Sequence, residues 1–147
     1  MNAIEKMRQF LAKSPYGVQL QDFHIDYTDA MPANGGLFPS GLVEISRRKD
    51  ILGNTTVVNQ YNFALYTVIE KAPGDDVGAA ENATWTLGLQ EWIQEQSILG
   101  NTPQFGDVPE QETITAQNGT LYAADDEGTG LYVIQISATF TKQFWRS

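Results

Sequence analysis

The chain has 147 residues, with eighteen Asp and Glu against nine Lys and Arg, for a formal net charge of −9. That length suffices for one domain, residues 1–147, whose core needs no covalent staple, and the absence of cysteine removes disulfides, thiolate nucleophiles and cysteine zinc sites. The acidic balance repels phosphate backbones and argues against a surface that wraps nucleic acid.

The opening MNAIEKMRQFLAKS spaces charges among its apolar residues, unlike the basic start and unbroken apolar run of a signal peptide. With the missing cysteines it fits a protein made in a reducing cytosol, so the glycosylation-like triplets at Asn54, Asn82 and Asn118 read as turn and polar-face residues. Ile4, Met7, Phe10 and Leu11 recur at helical spacing between Asn2 and Lys13. Asn2 is placed to cap this helix, with Glu5 three residues on, and the residue before Pro15 is disfavoured in helical geometry, which ends it near Ser14. QLQDFHIDYT then alternates as a half-buried strand, with Leu20, Asp22, His24 and Asp26 on one face and Phe23, Ile25 and Tyr27 on the other.

MPANGGLFPSG from Met31 is rich in Gly and Pro and reads as a surface loop. LVEISRR and TTVVNQYNFALYTVIE follow as two strands joined by a turn at Leu52-Gly53-Asn54. In the second, Val57, Tyr61, Phe63, Leu65 and Ile69 point one way, while Val58, Gln60, Asn62, Ala64 and Tyr66 form a face too polar for full burial. Ala72-Pro73-Gly74-Asp75-Asp76 breaks the strand and offers acids to the positive end of a helix running to about Gln96. Its apolar face is Trp85, Leu89, Trp92 and Ile93.

Leu99 to Glu110 is again a loop. ETITAQ and TLYAA, separated by Asn118-Gly119, predict a tight hairpin, because that dipeptide supplies the positive φ values such a turn needs. A turn from Asp125 to Gly130 leads into LYVIQISATFTKQFW, where Tyr132, Ile134, Ile136, Ala138, Phe140 and Phe144 alternate with a mostly polar face. The order α-β-β-β-α-β-β-β predicts an α+β fold: a mainly antiparallel sheet of about five or six strands with both helices packed on it. The expected core includes Phe63, Trp85, Leu89, Trp92, Ile134 and Ile136.

Catalytic motifs are sparse. A Ser/His/Asp set has only His24 for its base, no G-x-S-x-G elbow presents a serine, and Ser40 lies in a turn-like FPSG. GTG at Gly128 to Gly130 lacks a third glycine and precedes a strand, and no P-loop is present. Asp22, His24 and Asp26 put two carboxylates and an imidazole on one strand face, a set able to converge on a divalent ion. Leu20 and Thr28 flank it and no further ligand is marked, so the preferred reading is a solvated polar face, with a metal site as the alternative. Asp125-Asp126-Glu127 lacks the ligand spacing of an EF-hand and reads as an exposed acidic turn.

The opening helix, the LVEISRRKDILGNTTVVNQYNFALYTVIE hairpin, the helix ending in LQEWIQEQ and the closing LYVIQISATFTKQFW resemble, across nearly the whole chain, a family of phage proteins. These are the minor capsid and tail terminator proteins of phages and prophages of Gram-positive bacteria. The likeness rests on segment order and on R-x-x-D-x-x-G-N-T-T before a long strand, here Arg47, Asp50, Gly53, Asn54, Thr55 and Thr56. It implies a structural virion protein and no enzyme: a homo-oligomer, a hexameric ring that caps the tail tube and joins it to the head. Its partners would be the tail tube protein and the head-completion and neck proteins, with DNA passing through the lumen without sequence-specific contacts. It implies a place in the tail or neck of the virion, and in the host cytoplasm during assembly, and it carries no cofactor and no active-site residues.

Two rival functions stay open: a head-closure or other neck protein, and a small metal-dependent enzyme using Asp22, His24 and Asp26. For a head-to-tail ring, the bases Arg47, Arg48 and Lys49 and the acids Asp125, Asp126 and Glu127 are the interface candidates, expected on opposing surfaces of neighbouring subunits, with a solvated turn as the alternative reading of either alone.

Overall fold

A computed structural model describes residues 2–15, 24–25, 35–70, 76–124 and 129–145. Helix α1 spans Ala3–Ala12, and its N-terminus is capped as the sequence predicts, Asn2 Oδ1 accepting from the Glu5 N–H at 2.9 Å. Met7, Phe10 and Leu11, one stripe of this helix, are buried.

Strand β1 is short, His24–Ile25 among the described residues, and it pairs in parallel with β2, Gly35–Lys49, through His24↔Gly36 and Ile25↔Leu37. The remaining pairings are antiparallel. Strand β3, Thr55–Glu70, lies between β2 and β5, Thr129–Phe144, and β4, Thr113–Ala124, flanks β5, so the sheet order is β1-β2-β3-β5-β4. Between β3 and β4 come helix α2, Asp76–Leu99, and a single 3-10 turn, Pro109–Gln111.

The fold is therefore α+β, two helices with a five-strand, mainly antiparallel sheet, in the order α-β-β-β-α-(3-10)-β-β. The expected third strand after α2 does not exist as a separate element. Asn118-Gly119 is no hairpin turn, because β4 runs straight through it and the register shifts between Gln117↔Gln135 and Thr120↔Val133. Three residues advance on β4 against two on β5, which makes the site a β-bulge. The sixteen-residue β5 explains the outcome: it offers a continuous partner to both halves of β4, whereas a hairpin at Asn118 would pair the halves with each other. The connection to β5 falls instead at residues 125–128, outside the described set.

Helix α2 extends a turn past the expected Gln96. Gly100 at φ +80° follows its last residue, the Asn101 N–H donates to the Gln96 carbonyl at 2.9 Å and the Gly100 N–H to the Ser97 carbonyl at 3.3 Å. This is a Schellman cap, which satisfies carbonyls that a helix end otherwise leaves open.

Both helices contribute to one core. Met7, Phe10, Leu11, Leu89 and Ile93 pack with Leu37, Phe63, Leu65, Ile114, Ile134 and Ile136 of the sheet. The register sets Leu65 against Ile134 and Phe63 against Ile136, so the alternating apolar residues of β3 and β5 form adjacent rows on one face. Phe63, Leu89, Ile134 and Ile136 are buried as expected; Trp92 is half-buried against the cluster, its ring centroid 5.0 Å from that of Phe10. The side chains of Trp85 and Ile69 lie outside the described residues. On the opposite face Ala64 is buried, while Gln60 and Ser137 both donate to Asn62 Oδ1, at 3.0 and 2.8 Å, so this polar face is organised by its own hydrogen bonds.

Candidate assembly surface

The β2–β3 hairpin reaches beyond the helices. Residues 39–50 are exposed, Leu42, Val43 and Ile45 among them. Two register irregularities, between Pro39 and Gly41 and between Glu44 and Ser46, bend this arm of β2, and Gly41 takes φ +116°, open to glycine and strained for other residues. Leu42, opposite Tyr61, falls on the helix-bearing face, whereas Val43, opposite Gln60, falls on the other.

The hairpin tip is firmly built. Asp50 Oδ1 accepts from the N–H groups of Leu52 and Asn54, each at 2.9 Å, the Asp50 N–H donates to the Asn54 carbonyl at 2.9 Å, and Gly53 turns the chain at φ +90°. This turn holds two aliphatic side chains in water: Ile51 is fully exposed and Leu52 is 73 % exposed. Phe144, which pairs with Thr55, and Trp145 add two exposed aromatic rings at the same end of the sheet. Isolated exposed leucines are ordinary, whereas four large apolar side chains exposed at one end of a sheet are a candidate for a contact surface.

Three bases, Arg47, Arg48 and Lys49, stand there beside the acids Glu44 and Asp50. Arg47 is engaged by Glu44 in a two-pronged contact, Nε to Oε1 at 2.6 Å and Nη2 to Oε2 at 3.0 Å. That hydrogen bond holds the Glu44 carboxyl below the usual carboxylate range and the Arg47 guanidinium above its ordinary value. Arg48 and Lys49 have no ion pair among the described residues. The register aligns Arg47, Val57 and Lys142 in one row across β2, β3 and β5, with Lys142 Nζ 3.8 Å from Asp107 Oδ1.

The sheet's edges are treated unequally. On the outer side of β4 the Ile114 N–H donates to Ser97 Oγ at 3.0 Å and Gln90 Nε2 donates to the Ala116 carbonyl at 3.3 Å, so α2 occupies that edge. Where β4 has ended, the Asp107 N–H donates to the Thr141 carbonyl and Asp107 Oδ2 accepts from the Gln143 N–H, both at 2.8 Å, so the loop after α2 covers β5. No strand pairs with the outer edge of β2 beyond Leu37 among the described residues. An apolar, open edge is a template for strand addition, which natural proteins cover or use.

Of the sequence-predicted site residues, Arg47, Arg48 and Lys49 are exposed on this hairpin. Asp125, Asp126 and Glu127 lie outside the described residues, as do Asp22 and Asp26; His24 sits on β1. Among the described residues no group of three or more His, Cys, Asp or Glu could hold a metal ion, and no helix is long and apolar enough to cross a membrane. Sequence reasoning passed over Ile51 and Leu52. Their signal is two large aliphatics between Asp50 and Gly53, where turn chemistry favours polar residues.

Two concavities are formed among the described residues. One of 630 Å³ lies between α1, the end of α2 and residues 100–104, bridged by Lys6 Nζ donating to the Gln104 carbonyl at 2.9 Å. The other, a 430 Å³ groove, runs between α2 and β4 and is lined by Leu87, Ile98, Ile114 and Ala116 with Gln90 and Glu91 at its rim. Compared with protein-family models and with curated proteins, the chain matches none.

Proposed function

We propose that this protein is a structural subunit that works by assembling with copies of itself into a ring, and that the ring is the terminator of a phage tail, capping the tail tube and joining it to the head. The observation that carries the reading is the contrast among the sheet edges: two are covered by the chain's own α2 and loop, while the β2 arm has no partner strand among the described residues beyond Leu37 and holds Leu42, Val43 and Ile45 exposed. A surface of that kind supports function through contact with another protein. The phage assignment rests on the resemblance in segment order and in the Arg47 to Thr56 phrase.

A closed ring requires two different surfaces on each subunit, related by a rotation that divides the circle. The acidic balance suits the proposed lumen, because a passage that must not grip DNA gains from repelling phosphate. Solution mass measured across protein concentration, with negative-stain micrographs of the purified protein alone and with tail tubes, tests the reading. Rings of defined subunit number are expected in at least one condition. Monomers or dimers in every condition would dismiss it.

A further inference from the structure

The hairpin tip has a counterpart on the same chain. Ile51 and Leu52 project from a turn fixed by Asp50, with Arg48 and Lys49 immediately before it. The groove between α2 and β4 presents exposed Leu87 and Ile98 on the helix side and half-buried Ala116 on the strand side, above the buried Ile114. Exposed Glu91 lines the α2 side, exposed Glu95 stands one helical turn further along the same helix beside the groove, and neither α2 nor β4 contains a lysine or arginine. The tip is therefore apolar and basic, and the groove apolar and acidic.

We propose that the tip of the β2–β3 hairpin of one subunit seats in the α2/β4 groove of a second copy of this chain, Ile51 and Leu52 entering the groove while Arg48 and Lys49 face Glu91 and Glu95. This rests on the ring reading above and names its contact. Because β2 and β4 stand on opposite sides of the sheet, with β3 and β5 between them, the tip belongs to another molecule's groove. The contact is heterologous, the kind that propagates around a circle. A second copy is the favoured occupant because this acidic protein, of net charge −9, keeps an apolar, base-flanked projection and an apolar, acid-flanked groove on the same chain. Ser97 and Gln90 already satisfy Ile114 and Ala116 at the β4 edge, so the contact is a side-chain plug and not an added strand there.

The test uses the full chain in three forms: wild type, the tip variant Ile51→Ser/Leu52→Ser, and the groove variant Glu91→Lys/Glu95→Lys. All four positions are exposed, so thermal melts should match wild type. Sedimentation across concentration at low ionic strength should show each variant needing at least about tenfold more protein for half-assembly, from the loss of two buried aliphatics or of charge complementarity. An equimolar mixture of the two variants should form a one-to-one complex that grows no further, since it retains one intact tip and one intact groove. Adding Arg48→Glu/Lys49→Glu to the groove variant should restore assembly.

Wild-type rings with variants that assemble equally well would overturn this contact and leave the ring reading standing. A wild type that gains mass only on tail tube protein, through the same tip, would overturn the second copy as occupant. A wild type that stays monomeric in every condition would overturn both.

Discussion

Gly106→Ala would force the loop after α2 away from β5. A Cβ at residue 106 would stand 2.3 Å from the Thr141 carbonyl oxygen and 3.0 Å from the Thr141 nitrogen, in β5. Both atoms are backbone, in a strand paired along its length with β3, so the loop must retreat by about 1 Å to reach ordinary contact. Retreat stretches the hydrogen bond from the Asp107 N–H to Thr141 and the one Asp107 Oδ2 accepts from Gln143, each worth about 1 kcal/mol net. It also shifts Phe105, whose ring lies 5.2 Å from Tyr61 and 5.8 Å from Phe140. With about half of each bond forfeited, about 1 kcal/mol in all, and an overpacking cost of about 1–3 kcal/mol, the expected loss is roughly 2–4 kcal/mol. Urea unfolding should show the midpoint falling by about 1–2 M with an unchanged slope. Gly100→Ala is the control: nothing lies within 4 Å of its Cβ position, so only the φ of +80° is strained, at about 1–2 kcal/mol. A Gly106→Ala midpoint equal to wild type would refute the close approach of this loop to β5, and with it the covered edge.

Trp92→Ala should lower the melting temperature by roughly 5–10 °C, about 2–3 kcal/mol, because the ring is half-buried against Phe10 and not enclosed; a fall beyond about 5 kcal/mol would mean an enclosed ring. Asn2→Ala should cost about 1 kcal/mol through the lost cap on Glu5, seen as faster amide exchange in the first turn of α1. Burial pushes the Glu112 carboxyl up, against the opposing hydrogen bonds from Phe105 and Gly106 and the charge of Lys6. The folded state then holds this proton more tightly than the unfolded state. Glu112's contribution is most favourable below the ordinary carboxylate range and declines as pH rises through that range to the raised value. Urea midpoints should therefore show Glu112→Gln gaining on wild type across that interval; a constant difference would remove Glu112 as the cause.

Local chemistry was enough to read much of the fold. The Asn2 cap, the helical spacing of Met7, Phe10 and Leu11, the alternation of Phe63 and Leu65, and the turn before Asn54 each depend on neighbours a few residues apart, and each stands in the structure. The helix-facing burial of Leu89, Ile134 and Ile136 followed from the same periodicities. Asn118-Gly119 shows where such signals stop. The dipeptide permits a hairpin, but the long partner β5 determines which pairing forms, and pairing is non-local.

The candidate surface divides in the same way. Composition and resemblance led to the bases Arg47, Arg48 and Lys49, which the hairpin does expose. Only the tertiary structure could reveal that Lys142 joins Arg47 in one row, that Ile51 and Leu52 stand free in solvent, and that β2 beyond Leu37 has no partner strand among the described residues while α2 and the 100–112 loop cover other edges. Hydropathy reports that a residue is apolar, while its exposure depends on which distant segments pack over it. The sequence by itself determined the repeating elements and the charges they carry. Sheet order and packing decided which of those residues face a core and which face solvent.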